Sequence, residues 1–565
     1  MTKQIQAILF DMGGTLRRTI DNEEGVERDS IRRIMELLGA DGSVDGFAQL
    51  LSRRAKAYKG WAEKSLIELN ENALWTEWML PDWPVEQVSE IAIQLNQLYR
   101  ESLGKRAIFP ETQEVVLRLF RRGYRLGLVS NTTSSVEAPT LLKELGIYGC
   151  FETIVLSSIF GKRKPHPALL LQAARTMGIH PDRCAYVGDR PDRDVLSARK
   201  AGFAQTVLVQ NGNGPIDLTN DPLLVPDFVI DNLNDLLELF PPRREDKRNK
   251  SDTKPTVYDV SFSTMWAVRN FSSLNDFFLA AWRLGFAKIE LNHQINSEML
   301  ERVDLKQVQF SSVHEPCPAD ISAEVLKQRD WLISSTDEKC RREGVKAIER
   351  SIDLAAKVGA RTIVIHAGHI SADRTIENQM RALFKAGRVH SDEYQILKDR
   401  LIKYREERIN PGLTAVRNSL IELLDYASPY NIVLGLENRY HYLEFPGPDD
   451  LEVLLDLACP ERLGVIYDVG HAQTFDRLEF YPHIAWLERF ASRIIGVHLH
   501  DVAGITDHLA PGLGEVDFDV VAAYLPENAF RTCEIQTFNT PEQIKAGLKI
   551  LSDRGCISNT KECIP

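Results

Sequence analysis

A chain of 565 residues is longer than one hydrophobic core accommodates, so two or more domains are expected. With 44% hydrophobic and 26% charged residues it has the make-up of an ordinary globular protein, and no run is long and apolar enough to span a bilayer. The net charge of −12, nearly all of it carried after Pro255, disfavours nucleic acid as a partner, and eight scattered cysteines without a CxxC pair argue against a disulfide framework or a thiolate zinc site. The opening MTKQIQAILF lacks a basic segment, a long apolar run and a cleavage site, so residence in the cytoplasm is expected.

The elements fall into two series. The first begins with an apolar strand at Ile5 to Phe10 and a long helical stretch reaching about Arg106. Strands at Arg125 to Val129, Thr153 to Leu156 and Ala185 to Val187 follow, with helices between. Alternating strands and helices predict an α/β domain with a doubly wound, Rossmann-like parallel sheet over residues 1–240. Amphipathic runs such as Ser30 to Leu38 and Val85 to Tyr99 let the insertion over 17–106 bury a small core of its own, as a helical cap would. Residues 241–255, PPRREDKRNKSDTKP, are charged and nearly free of apolar side chains, and read as a linker. Over 256–565 eight strand-like runs recur, each followed by a helical run: Val257 to Phe262, Lys288 to Leu291, Val308 to Val313, Thr362 to Ile365, Ile432 to Leu436, Gly464 to Tyr467, Ile494 to Val497 and Arg531 to Cys533. That is the pattern of a (β/α)8 TIM barrel. A long polar helical insertion between Ala372 and Arg417 is a candidate cover for the site or a subunit contact, and a homo-oligomer is left open.

Four segments of the first series place reactive groups at strand ends, where open parallel sheets bind ligands. They are Asp11-Met12-Gly13-Gly14-Thr15, Ser130-Asn131-Thr132, Lys164-Pro165-His166-Pro167, and Gly188-Asp189-Arg190 with Asp194 beyond. In this order and spacing they resemble the four motifs of the haloacid-dehalogenase superfamily of hydrolases. The resemblance implies that Asp11 is a nucleophile attacking phosphorus, that Asn131 or Thr132 holds the phosphoryl oxygens, and that Lys164 neutralises their charge. It also implies that Asp11, Asp189 and Asp194 hold Mg²⁺. One position departs from the pattern: superfamily phosphatases carry a second Asp two residues after the nucleophile to protonate the leaving oxygen, and here that residue is Gly13. General-acid help of that kind is worth roughly 10²–10⁴-fold. A phosphatase restricted to good leaving groups, a phosphate-sensing module without turnover, and a dehalogenase are the readings this leaves.

In the second series the residues just past the strands are almost all metal-ligand types: His314, His366, Glu437, Asp468, His498 and Glu534, with His471, Asp507 and His508 near by. Oxygen and imidazole donors without thiolate suit Mn²⁺, Mg²⁺, Co²⁺ or Zn²⁺. Together with Ile289-Glu290-Leu291, Leu436-Glu437-Asn438, Asp468-Val469-Gly470-His471, His498-Leu499-His500-Asp501 and Gly512/Gly514-Glu515, they resemble the xylose-isomerase-like barrels. These include sugar-phosphate isomerases and epimerases and the endonuclease IV type of nuclease. The resemblance implies that Glu437, Asp468, His498 and Glu534 hold one divalent ion. It further implies that Glu437 and Glu534 pass a proton through an enediolate, and that His471, His314 and His366 contact a sugar or sugar-phosphate substrate. The rival within the same family is a multi-zinc hydrolase, in which His314, His366 and Glu437 hold a second ion and His471 with His508 a third. Its third site uses an Asp and a His two residues apart, whereas Asp507 and His508 are adjacent. Fusion of the two series raises the expectation that both sites act on related metabolites.

Overall fold

In a computed structural model, which describes residues 4–211, 221–243, 256–303 and 305–560, the chain divides into two units, Met1–Asn249 and Lys250–Pro565. Residues 244–255 of the segment read as a linker lie outside the described residues, as does Cys563.

The first apolar run forms strand β1 (Ala7–Phe10), and all four of its side chains are buried. It lies inside a six-stranded sheet with β4 (Arg125–Ser130), β5 (Phe151–Leu156), β6 (Cys184–Gly188), β7 (Gln205–Val209) and β8 (Phe228–Ile230), in the order β5-β4-β1-β6-β7-β8. Every neighbour pair is parallel, so the inner strands are covered on both faces and read as continuous apolar runs. From β1 the chain builds outward through β4 and β5, then returns to β6 on the other side. This reversal opens a crevice at the carboxyl ends of β1, β4 and β6, and Asp11 is the first residue past β1.

Two strands that sequence patterning does not reveal, β2 (Arg17–Ile20) and β3 (Lys105–Ile108), pair antiparallel and carry the chain into and out of the helical insert. They are four residues long and largely solvated, so no apolar periodicity marks them. Between them the helices Val26–Leu38, Val44–Ser65 and Val85–Ser102 close on a core of their own around Ile34, Leu51, Trp75 and Leu95. Side chains of that size contribute roughly 1.5–3 kcal/mol each when buried, which lets the insert hold its shape as a separate layer.

In the second unit eight strands close a parallel barrel: β9 (Tyr258–Ser263), β10 (Phe286–Leu291), β11 (Phe310–His314), β12 (Thr362–Ile365), β13 (Val433–Glu437), β14 (Leu463–Asp468), β15 (Ile494–Leu499) and β18 (Phe530–Cys533). A hairpin of β16 (Asp501–Ala503) and β17 (Thr506–Leu509) stands in the loop after β15. The polar stretch 372–417 forms the helix Thr375–Lys385 and most of the long helix Asp392–Ala427. The long helix buries Tyr394, Leu397, Leu401, Val416, Leu420 and Leu423 in the main core, so much of the expected insertion is barrel wall.

Candidate functional site

At the crevice of the first unit, Asp11 Oδ1 accepts from Lys164 Nζ at 2.8 Å, and the same ammonium reaches Val129 O at 3.0 Å, the Tyr186 hydroxyl at 2.6 Å and Asp194 Oδ1 at 2.7 Å. Asn131, in the loop after β4, clamps the backbone of Lys164 from both sides: its amide donates to Lys164 O at 2.9 Å and accepts from Lys164 N at 2.8 Å. The Thr132 hydroxyl accepts from Ser134 N at 3.0 Å. The side chains predicted to hold phosphoryl oxygens are therefore engaged in shaping the loops. Asp189 and Asp194, past β6, complete a group of three carboxylates with Asp11 whose oxygens lie within 4.8 Å of one another.

Hard oxygen donors so arranged fit Mg²⁺. Arg193 occupies the middle of the group, with Nη2 at 2.9 Å from Asp11 Oδ2, 3.0 Å from Asp189 Oδ1 and 3.2 Å from Asp194 Oδ2. Burial and the neighbouring Asp11 and Asp194 push the Asp189 carboxyl up to about 7. Burial also opposes ionisation of Asp194, but Lys164 and Arg193 more than reverse this and hold it at about 2. Gly14 is required here: its φ is +81°, and a Cβ would stand 1.9 Å from Asp189 Oδ2. A Cβ on Gly13 would meet nothing within 4 Å.

In the second unit the predicted residues do converge at the carboxyl ends of the strands. His314 Nε2 and His366 Nε2 lie 2.6 Å apart, and His366 Nε2 is 3.0 Å from Glu437 Oε2. On the other side of Glu437, Oε1 is 2.7 Å from His498 Nδ1, which is also 3.6 Å from Asp468 Oδ2 and 3.1 Å from Glu534 Oε2. Ligand atoms of Glu437, Asp468, His498 and Glu534 form one compact group, those of His314, His366 and Glu437 a second, and those of Asp468, His471 and His508 a third. Glu437 is shared by the first two and Asp468 by the first and third.

Sequence reasoning left several supporting residues without a role. Glu290, at the end of β10, faces His498 Nε2 at 3.2 Å and accepts from Ser312 Oγ at 2.6 Å. With Nε2 facing a carboxylate, Nδ1 is left for the ligand group. His500 Nε2 sits 3.0 Å from both oxygens of Asp468, and its ring stacks on His508 at 4.2 Å. Gly470 admits that ring, since a Cβ there would lie 2.0 Å from His500 Cε1. His508 has a φ of 56°, and its adjacency to Asp507 does not keep it from the third group. Asp501 accepts backbone N–H groups of Val502, Gly512, Gly514 and Val516, which ties down the loop that carries the glycine motif. His471 is held through Nδ1, 2.8 Å from Asn438 O, and so presents Nε2 to the third group. His498 in β15 and His500 just beyond its end stand two residues apart, a spacing the sequence does contain.

Glu290, Glu437, Asp468 and Glu534 are buried carboxylates gathered around His498, and the one guanidinium bonded to them, Arg439 on Glu437, is shared with Glu444 at 3.3 Å. Burial raises the cost of ionising Glu437 and Glu534, yet the adjacent imidazoles hold both well below the usual carboxylate range. Burial likewise disfavours protonated His498, and the Glu290 and Glu534 carboxylates push it well above the ordinary histidine value. His498 Nδ1, Glu437 Oε1 and His314 Nδ1 are buried and close to other ligand atoms without hydrogen-bond geometry to any of them. Four carboxylates crowded around buried imidazoles, with one guanidinium shared outward to Glu444, form a donor set that a cation would balance. Buried ions cost several kcal/mol each unless compensated, so the donor set fits metal.

A family model described as haloacid dehalogenase-like hydrolase matches residues 5–202, and one described as xylose isomerase-like TIM barrel matches residues 284–554. The phosphoglycolate phosphatase of Nitrosococcus oceani is 36% identical over 242 residues, covering 42% of this chain and 98% of that protein. The chain joins a haloacid dehalogenase-like hydrolase to a xylose isomerase-like TIM barrel. The glyceraldehyde 3-phosphate phosphatase of Methanopyrus kandleri is 28% identical over 237 residues, 42% of this chain and 97% of that protein. A solved D-tagatose 3-epimerase-like protein is 20% identical with a TM-score of 0.37, covering 52% of this chain and 99% of that one. The haloacid dehalogenase-like unit thus has phosphatases among its relatives, and the barrel carries candidate metal-binding groups. Among the described residues no helix is long and apolar enough to cross a membrane.

Proposed function

We propose that the barrel is a metal-dependent isomerase or epimerase of a sugar or sugar phosphate. The observation that carries this reading is the pair Glu437 and Glu534, which approach the same buried His498 nitrogen from two different strands, at 2.7 and 3.1 Å. Glu437, Asp468, His498 and Glu534 would hold one divalent ion, and His314, His366 and His471 would contact the substrate. A divalent ion held there would polarise carbonyl and hydroxyl oxygens and make the adjoining C–H acidic. Glu437, ionised, would take a proton from one carbon, and Glu534, entering the step protonated from solvent, would give its own proton to the next carbon or to the other face, the two carboxylates re-equilibrating with solvent after turnover. Arg439, bonded to Glu437, keeps that carboxylate ionised and ready to accept. Glu290 fixes the ring of His498.

The group of Asp468, His471 and His508 favours a second reading, hydrolysis of a phosphodiester by a site of three ions. Incubation with a panel of sugar phosphates in D2O, read by NMR, separates the two. The first reading expects solvent deuterium at a single carbon, abolished in Glu437→Gln. No incorporation from any sugar, together with cleavage of bis(p-nitrophenyl) phosphate, would establish the second. Elemental analysis of unchelated protein adds a count: one ion in the barrel, kept in His314→Ala and lost in Glu437→Gln, accords with the first reading, and two or three, reduced by His314→Ala, accord with the second.

For the haloacid dehalogenase-like unit we infer a Mg²⁺-dependent phosphatase limited to leaving groups that depart without a general acid. Asp11 attacks phosphorus and Lys164 balances the charge. Asp11, Asp189 and Asp194 would hold the ion, whose charge would offset that of the phosphoryl oxygens. Turnover of p-nitrophenyl phosphate, lost in Asp11→Asn, tests this. A phosphate-sensing module would bind phosphate in both proteins and hydrolyse nothing.

A further inference from the structure

Beside Asn131 and Thr132 the first unit holds a cavity of about 240 Å³, walled by Leu74, Trp75 and Met79 of the helical insert and flanked by Arg100. Arg100 belongs to an unusual charge group. Glu137, which opens the helix Glu137–Glu144, accepts from Arg17 Nη2 at 2.9 Å, Arg100 Nε at 3.2 Å and Arg106 Nε at 3.0 Å. The four side chains are 9%, 18%, 15% and 21% exposed for Arg17, Arg100, Arg106 and Glu137. Guanidinium groups stay protonated at such sites, so one carboxylate against three of them leaves two positive charges largely shielded from water. Glu68, paired with Arg163 at 3.4 Å on the same wall, also lies close enough to act on Arg100, so with Arg163 and Glu68 counted the cluster has four arginines against two carboxylates and the surplus of two stands. Asp11 lies close enough to act on Arg17, but it already faces Lys164 and Arg193.

A salt bridge that only fastened the insert to the sheet would need one arginine. The surplus calls for an anion, and Arg100 is placed to meet it. It borders the cavity, and its Nη1 has only a long contact of 3.3 Å to Thr133 Oγ1. On the phosphatase reading phosphate would meet Asp11, just past β1, and Lys164, whose backbone is clamped by Asn131, and Asn131 forms the other edge of the same cavity.

The geometry points to a substrate with two oxyanions: the phosphoryl group on Asp11, and a carboxylate or second phosphate on the departing portion, seated against Arg100. This rests on the phosphatase reading of the first unit and adds its substrate class. The apolar wall of Leu74, Trp75 and Met79 would cover the carbon chain between the two charges.

Calorimetric titration of the full-length, Mg²⁺-loaded protein with propylphosphonate, 3-phosphonopropionate and propane-1,3-bisphosphonate tests the inference. At least one of the two doubly charged ligands should bind about tenfold tighter than propylphosphonate or better, the scale of a charge-assisted hydrogen bond, and which one gains tells carboxylate from phosphate. Arg100→Gln should bring the affinities together, and Arg100→Lys should keep part of the difference. Equal affinities in the wild type, or a preference that survives in Arg100→Gln, overturn the inference while hydrolysis of p-nitrophenyl phosphate leaves the phosphatase reading standing. Loss of all phosphonate binding together with inert p-nitrophenyl phosphate overturns both.

Discussion

Replacing Gly13 by Asp should convert the first unit into a phosphatase that handles ordinary alkyl esters. The backbone at Gly13 is outside the left-handed region and an added Cβ meets nothing within 4 Å, so an aspartate fits without moving the nucleophile two residues earlier. Proton donation to the departing oxygen is worth roughly 10²–10⁴-fold, or about 3–5 kcal/mol of barrier. That benefit applies where the leaving group is a strong base. For glycerol phosphate the expected gain in kcat/KM is therefore about 10²-fold or more, while p-nitrophenyl phosphate, whose phenolate leaves unaided, should change little. A series of aryl and alkyl phosphates extends this to a slope: the wild-type rate should fall steeply as the leaving group becomes more basic, and Gly13→Asp should flatten that dependence. An unchanged slope in a folded variant that still hydrolyses p-nitrophenyl phosphate would refute the idea that the absent acid limits this site. Gly14→Ala is the steric control one residue along, and it should lose the ion and the activity because its Cβ would occupy the space of the Asp189 carboxylate.

Arg193 stands where a cation belongs among Asp11, Asp189 and Asp194, so Arg193→Gln should raise Mg²⁺ affinity in calorimetry; an unchanged or weaker affinity would show that the guanidinium does not compete. The Asp189 carboxyl, pushed up to about 7 by burial and its acidic neighbours, must lose its proton to bind metal, so Mg²⁺ uptake should weaken as pH falls through about 7. Without metal the sign reverses for stability: the raised group favours the folded state below about pH 4, and that contribution should fade as pH climbs to about 7, a trend that thermal melts can follow. Glu290→Gln removes the charge behind His498 and should cost about 10- to 100-fold in barrel metal affinity, measured by competition with a chelator. Among the described residues, native protein should expose only Cys340 and Cys459 to a thiol reagent. Cys150, Cys184, Cys317, Cys533 and Cys556 are buried, and burial pushes the Cys184 thiol up to about 12.

The patterning along the chain is enough to announce two families of fold, because buried parallel strands leave unmistakable apolar runs and the ligand residues follow them directly. Asp11, Asp189, His314, Glu437, Asp468, His498 and Glu534 all stand at or just past such runs. What patterning does not carry is pairing at a distance. Glu290 acts on His498 across the closed barrel, and nothing local to Ile289-Glu290-Leu291 distinguishes a ligand from a carboxylate that orients one. Arg193 reads as a surface residue of a polar turn until the sheet brings Asp11 to it. The three arginines on Glu137 come from β2, β3 and a helix of the insert, far apart in the chain. Strand ends are local properties, set by where hydrophobic burial stops. The charge balance of a site depends on which distant side chains share the same small volume shielded from water, and only the folded chain decides that.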